Sequence, residues 1–266
     1  MSKKIIVIIQ SRLGSTRLPK KVIKSIQQKT IILHVINRLK AIPKIDNIVL
    51  ATTKKNEDSI LIKIAKQNNI DFFQGKTNNV LNRYYECAKK FNGDIIIRIT
   101  SDCPLLDPKL ILKMLNFYLN NNYDYLSNTI KPTFPDGLDV EIFSFKTLAR
   151  AHKLSKLKSE FEHVTPYIKK NPKKFKLFNY ENKKDLSKIR LTVDETEDLI
   201  LIRHIFKKLK PKTIFSLDEI LKIISNEPKL LEINQHIQRN KGYLKSLKND
   251  KKNLIKIKKS KIKEIN

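Results

Sequence analysis

Residues 5–9, "IIVII", are five consecutive β-branched residues bounded by lysines and a glutamine. The run is too short for a buried helix and has no alternation, so it predicts a strand covered on both faces, as in a parallel sheet. The segments that follow alternate in type. "TIILHVINRLKAI" (30–42), with Thr30 as N-cap, reads as a helix, "NIVLATT" (47–53) as a strand, "EDSILIKIAKQNN" (57–69) as a helix and "DFFQG" (71–75) as a strand. Helix 79–91 and strand 94–100 continue the pattern, "SDCPLLDP" interrupts it, and helix 109–120 resumes it. Strands are expected at 123–129, 138–144, 175–182 and 188–194, and helices at 145–154, 160–171, 195–209 and across 216–240. From Lys241 the chain reads as a lysine-rich helix or frayed tail. This order predicts an α/β fold with a doubly wound, mostly parallel sheet.

In such sheets ligands sit beyond the carboxyl ends of the strands, and the unusual residues are there. "QSRLGSTRLPKK" (10–21) follows the first strand and gathers Arg12, Arg17, Lys20 and Lys21 around Gly14, Ser15 and Thr16. Basic groups and hydroxyls beside a glycine suit a polyphosphate. The loop is neither a Walker motif nor a dinucleotide fingerprint, because both glycine patterns are missing. Asp102 and Asp194 each end a predicted strand, and two such carboxylates suit Mg²⁺, with water and phosphate completing its shell; each alone also suits a helix N-cap. In "PDGLDVE", Asp139 and Glu141 share one face of a strand and could accept bonds from substrate hydroxyls. His163, beside Glu162 on a predicted helix, is either a structural histidine or a substrate contact.

Composition narrows the partners. A formal net charge of +29 raises a nucleic-acid reading. The excess is nearly all lysine spread along the chain together with isoleucine and asparagine, whose codons are A/T-rich. It reads as genome composition, and a nucleic-acid partner is not expected. The two cysteines, Cys87 and Cys103, do not have zinc spacing, and no segment has the length of a membrane span. A reducing, cytoplasmic setting is the expectation.

The string "IIQSRLGSTRLPKKVI" closely resembles the opening of cytidylyltransferases that activate acidic sugars, of the acylneuraminate and 3-deoxy-manno-octulosonate types. It is most similar to the branch named after spore coat polysaccharide biosynthesis protein F. "IVLATT", "VLNRYYECAK", "IIIRITSDCPLLDP", "YDYLSNT", "FPDGLDVEIFSF", "SEFEHVTPYI", "LTVDETEDL" and "INQHIQRNKGYLKSL" follow in order, from about residue 4 to 248. The resemblance implies a nucleotide-diphosphosugar-transferase (GT-A-like) type of fold. It implies transfer of CMP from CTP to a nonulosonic or ulosonic acid for surface polysaccharide or glycan biosynthesis, with release of pyrophosphate. By motif position Arg12 and Lys21 would be catalytic, and Gln10, Gly14, Ser15, Arg17, Thr52, Thr53 and Arg83 would bind nucleotide. Asp102 and Asp194 would hold Mg²⁺, and Asn128, Asp136, Asp139, Glu141, Glu162 and His163 would face the sugar. The division implied is a nucleotidyltransferase domain over 1–230 and a basic helical extension over 231–266; relatives are often dimers, which suggests a homodimer.

Lys20 stands where the family has glycine in L-P-G-K. Gln74 replaces the arginine of F-R-G, and Asn79 and Asn82 replace the aspartates of D-V-L-D-R-Y. No strongly basic residue presents itself as proton acceptor; a metal-bound water or a nearby carboxylate such as Glu141 could serve. The competing readings are a glycosyltransferase using a nucleotide sugar, which would normally carry a D-x-D-like motif that "SDCP" lacks, a non-enzymatic nucleic-acid-binding protein, and a regulatory or binding module that keeps the fold without the activity.

Overall fold

The structure is a computed structural model and describes residues 3–263. Its strands are β1 (Ile5–Gln10), β2 (Ser25–Ile26), β3 (Lys29–Thr30), β4 (Asn47–Thr53), β5 (Asp71–Gly75), β6 (Ile95–Thr100), β7 (Tyr125–Ser127), β8 (Glu141–Ser144) and β9 (Leu177–Asn179). The helices are α1 (Ile31–Lys40), α2 (Ser59–Gln67), α3 (Val80–Lys90), α4 (Pro108–Leu119), α5 (Phe145–Leu154), α6 (Lys158–His163), α7 (Pro166–Lys169), α8 (Thr196–Leu209), α9 (Leu217–Asn226) and α10 (Lys241–Lys263). Seven strands form one sheet in the order β5-β4-β1-β6-β8-β7-β9, while β2 and β3 make a separate small hairpin.

The opening apolar run does what its composition requires. Strand β1 pairs in parallel with β4 on one side and β6 on the other. Because side chains alternate across a strand, Ile5, Val7 and Ile9 enter one core layer and Ile6 and Ile8 the other. Only β8 runs against its neighbours β6 and β7, so the sheet is mostly parallel, as expected. Thr30 precedes α1, but its hydroxyl makes no cap bond; burial of Ile31, Ile32, Val35, Ile36 and Leu39 holds that helix.

Three expected elements differ. Residues 188–194 form no strand: only Arg190 makes a bridge, with Asp136, because the Arg190 side chain is drawn into an ion-pair cluster. The expected helix 160–171 is broken into α6 and α7 at Val164, whose φ is 71°. Pro166 brings no N–H to a continuous helix and restricts the residue before it. In 216–240 the α-helix stops at Asn226; Pro228 then starts a short 3-10 turn, Pro228–Ile233, and the chain turns on to Asn240.

Candidate active site

The chain goes from β1 out to β4 and β5, then returns to place β6 on the opposite side of β1. That reversal opens a crevice at the carboxyl ends of β1 and β6, where Gln10 lies opposite Thr100. The loop after β1 is built to face it. Leu13 and Leu18 are buried, and the Leu13 backbone N–H donates to Asp58 Oδ1 at 2.7 Å. The Thr53 hydroxyl donates to the other Asp58 oxygen, so β4 anchors the loop through one carboxylate. The loop then turns at Lys20, which is left-handed (φ 54°, ψ 29°), and delivers Lys21 into a 3-10 turn.

That conformation is one in which glycine, the residue that the L-P-G-K pattern of the resembled family implies here, carries no Cβ penalty. The left-handed region costs an ordinary residue about 1–2 kcal/mol, part of which glycine returns through its freer unfolded chain. Lys20 is exposed and lies outside the cleft wall. Lys20→Gly is therefore expected to stabilise the fold by about 1 kcal/mol, read as a higher urea midpoint at unchanged slope. A lower midpoint would mean that the Lys20 side chain holds the loop.

Lys21 is the centre of the crevice. Its ammonium donates to Asp102 Oδ2, just after β6, and to Asp194 Oδ1, just before α8, each at 2.6 Å. Burial works against the ammonium, but the two carboxylates more than reverse this and raise its pKa. Burial likewise works against the Asp102 carboxylate, and the Lys21 charge outweighs it, bringing Asp102 down to about 2. Arg17 reaches Asp194 at 2.9 Å. Behind Asp194, Arg190 meets Asp136 at 2.6 Å, Asp198 at 2.8 Å and Asp194 Oδ2 at 3.1 Å. Asp198 also accepts the backbone N–H groups of Asp194 and Glu195, so one buried carboxylate sets the start of α8.

Two connected cavities open over this centre and share Gln10, Arg17, Thr100, Asp102, His163 and Lys241 in their walls. The first, about 560 Å³, is lined by Arg12, Gly14, Ser15, Lys21 and Arg83. The second, about 520 Å³, is lined by Asp136, Asp139, Glu141, Arg98, Lys169 and Asp194. Both are of a size that holds a small ligand. In the second lobe Arg239 pairs with Asp139 at 2.7 Å, and Glu141 lies between Arg98 at 3.3 Å and Lys169 at 3.6 Å. Burial pushes Glu141 up, but Arg98 and Lys169 outweigh it and hold the carboxylate below its usual range, which makes it a weak proton acceptor. Burial lowers His163 to about 4. The imidazole is thus neutral at pH 7 and sits 3.1 Å from the Ser246 hydroxyl, which donates to Glu162 at 2.7 Å.

Most of the residues given site roles from the sequence meet in this cleft; Thr52, Thr53 and Asn128 do not. Thr52 and Thr53 are buried below the loop and line neither lobe, because β4 ends beneath Asp58 rather than in the crevice. The Asn128 amide is spent on the backbone, donating to Leu138 O at 2.8 Å and accepting from Val140 N at 2.9 Å, so it pins the loop that carries Asp136 and Asp139. Arg83 does line the first lobe, with its stem packed so closely on β5 that a Cβ at Gly75 would sit 2.9 Å from Arg83 Cγ.

Sequence reasoning missed Asp58, Arg98, Lys169, Arg190, Asp198 and Arg239, all partners of the residues it named. Charged residues inside otherwise apolar runs, Arg98 in "IIIRIT" and Arg190 in "KIRLTV", were the available signal.

Asp102 and Asp194 offer oxygens to one point, now held by the Lys21 ammonium. Among the described residues no cluster of three or more His, Cys, Asp or Glu has metal-binding geometry. Two hard carboxylate donors converging on one point fit a cation that completes its shell with water and phosphate, as Mg²⁺ does.

A cytidylyltransferase family model matches residues 6–249. An uncharacterised protein of Methanocaldococcus jannaschii is 38% identical over 244 residues, 90% of this chain and 98% of that one. Spore coat polysaccharide biosynthesis protein SpsF of Bacillus subtilis is 28% identical over 233 residues, 84% of this chain and 95% of that one. A solved cytidylyltransferase from Leptospira borgpetersenii matches with a TM-score of 0.85 at 36% identity, covering 90% of this chain and 100% of its own. With the family match spanning nearly the whole chain and both lobes of the cleft inside it, this chain belongs to the cytidylyltransferase family, in its SpsF-like branch.

Proposed function

We propose that the protein transfers CMP from CTP to a hydroxyl of an acidic sugar, of the nonulosonic or ulosonic acid class, and releases pyrophosphate. The observation that carries this reading is the bridging of Asp102 and Asp194 by Lys21 at the junction of two lobes, one rich in arginine and lysine, the other in carboxylates. The first lobe suits a triphosphate, with Arg12, Arg17 and Lys21 facing its oxygens. In the second, Asp136, Asp139 and Glu141 suit sugar hydroxyls, and Lys169 suits the sugar's carboxylate.

The sugar hydroxyl attacks the α-phosphorus in line and gives up its proton to water in the cleft, the bond to the bridging oxygen of the β-phosphate breaks, and pyrophosphate leaves. Lys21 and Arg12 neutralise charge as it gathers on the departing oxygens. Mg²⁺, held by Asp102 and Asp194, would supply further neutralisation of the phosphates. Glu141, kept ionised by Arg98 and Lys169, serves to orient the sugar rather than to take its proton. The name of SpsF supports a role in surface polysaccharide synthesis.

Incubation with CTP, Mg²⁺ and a panel of nonulosonic and ulosonic acids is expected to release pyrophosphate and give a CMP-sugar with at least one acid, identified by mass spectrometry. Silence across the panel, with a known synthetase active in parallel, would defeat the reading.

A further inference from the structure

The motif "INQHIQRNKGYLKSL" carries no chemistry when read as sequence, yet the chain folds it back over the cleft. Arg239, just before α10, is tied to Asp139 at 2.7 Å and to Phe134 O at 3.1 Å. The body of α10 is held on α6: Ser246 bonds Glu162, the Tyr243 ring meets His163 edge-on at 5.1 Å, and Asp250 accepts from Ser159 N at 3.3 Å. So anchored, Lys241, Gly242, Lys245 and Asn249 line the first lobe, in the same cavity wall as Arg12 and Arg83. Residues 241, 245 and 249 recur every four positions and so share one helix face.

The charges on that face are little used. Among the described residues Lys245 makes no ion pair, and Lys241 reaches only Glu195, at 3.6 Å. The first turn of α10 holds no acidic residue, although the positive end of a helix favours acids over lysines by about 0.3–1 kcal/mol. A cost to the helix is repaid if an anion binds there. Gly242 points the same way: its φ lies outside the left-handed region, and an added Cβ would meet nothing within 4 Å. Neither backbone nor packing demands glycine at that place, which faces both lobes.

We propose that the first two turns of α10 are the closing wall of the nucleotide lobe, with Lys245 and Lys241 pairing with phosphate oxygens of the bound nucleotide and Gly242 leaving room for it. The proposal rests on the nucleotidyl-transfer reading and adds binding residues to it.

Direct binding of CTP and of inorganic pyrophosphate, measured by calorimetry on the full chain, tests it without turnover. Lys245→Ala is expected to weaken CTP and pyrophosphate binding about tenfold, and Lys245→Arg to retain most of the affinity. Lys248→Ala, on the part of α10 outside both lobes, should bind as the unsubstituted protein does. Gly242→Leu should lose CTP affinity while its thermal midpoint stays level or rises, since leucine is the better helix former. Unchanged affinity in both Lys245→Ala and Lys241→Ala would overturn the wall and leave nucleotidyl transfer standing. If the unsubstituted protein binds neither CTP nor pyrophosphate, the transfer reading falls and takes this proposal with it.

Discussion

Lys21→Ala is expected to lower the rate of pyrophosphate release by about 10²–10³-fold while the protein still folds. The ammonium donates to Asp102 and Asp194 at 2.6 Å each, and it is the one lysine of the opening loop that lines the cleft. Asp102 lies near 2 and Lys21 is raised, so the pair stays charged across any working pH. Alanine removes the charge that would face the departing pyrophosphate and leaves the two carboxylates repelling one another. Asp194 keeps Arg17 at 2.9 Å and Arg190 at 3.1 Å, which limits the damage to the fold. Single-turnover kinetics with CTP, together with a thermal melt, separate the two effects. A variant that melts near the original temperature and turns over within a few-fold of the original rate would remove Lys21 from the chemistry.

Arg190→Leu acts on stability instead, with an expected loss of about 3–5 kcal/mol. The guanidinium is 5% exposed and ion-paired to three aspartates. Replacing it leaves Asp136, Asp194 and Asp198 without their shared cation. Asp136 is already pushed up by burial and by the Asp139 charge, against the pull of Arg239 and Arg190, and can take up a proton when Arg190 is lost; Asp198, which burial pushes up and Arg190 holds below its usual range, carries more of the cost. The loss would be a large fraction of the roughly 5–15 kcal/mol that holds a domain folded. Urea unfolding at pH 7 reads it directly; a loss under about 1 kcal/mol would mean that the cluster contributes nothing beyond its own desolvation.

Much of the scaffold was legible. Strands β1, β4, β5 and β6 and helices α1 to α5 and α8 lie where periodicity placed them, because each buries a face whose spacing is written locally. The basic loop after β1 and Asp102 after β6 were legible for the same reason: position after a strand is a local property. The structure departs from the local pattern where a distant partner overrides it. "KIRLTVD" alternates like a strand, but Arg190 is claimed by Asp198 and Asp136. Thr52, Thr53 and Asn128 sit beside cleft residues in sequence, but their side chains point to Asp58 or to backbone, or have no partner among the described residues. The segment after Asn226 carries apolar spacing enough for a helix, but Pro228 interrupts it and Arg239 is drawn to Asp139.

The amino-acid order by itself determined that β1 would be buried on both faces, that strands and helices would alternate, and that a cationic loop would stand at a strand end. Only the tertiary structure decided what that loop faces. Lys21 meets Asp102 from 81 residues away and Asp194 from 173, and Lys245 reaches the same cleft from the far end of the chain. Periodicity reports which side of an element is apolar, whereas these meetings depend on the order in which the strands lie in the sheet and on where the last helix docks, which are long-range packing choices.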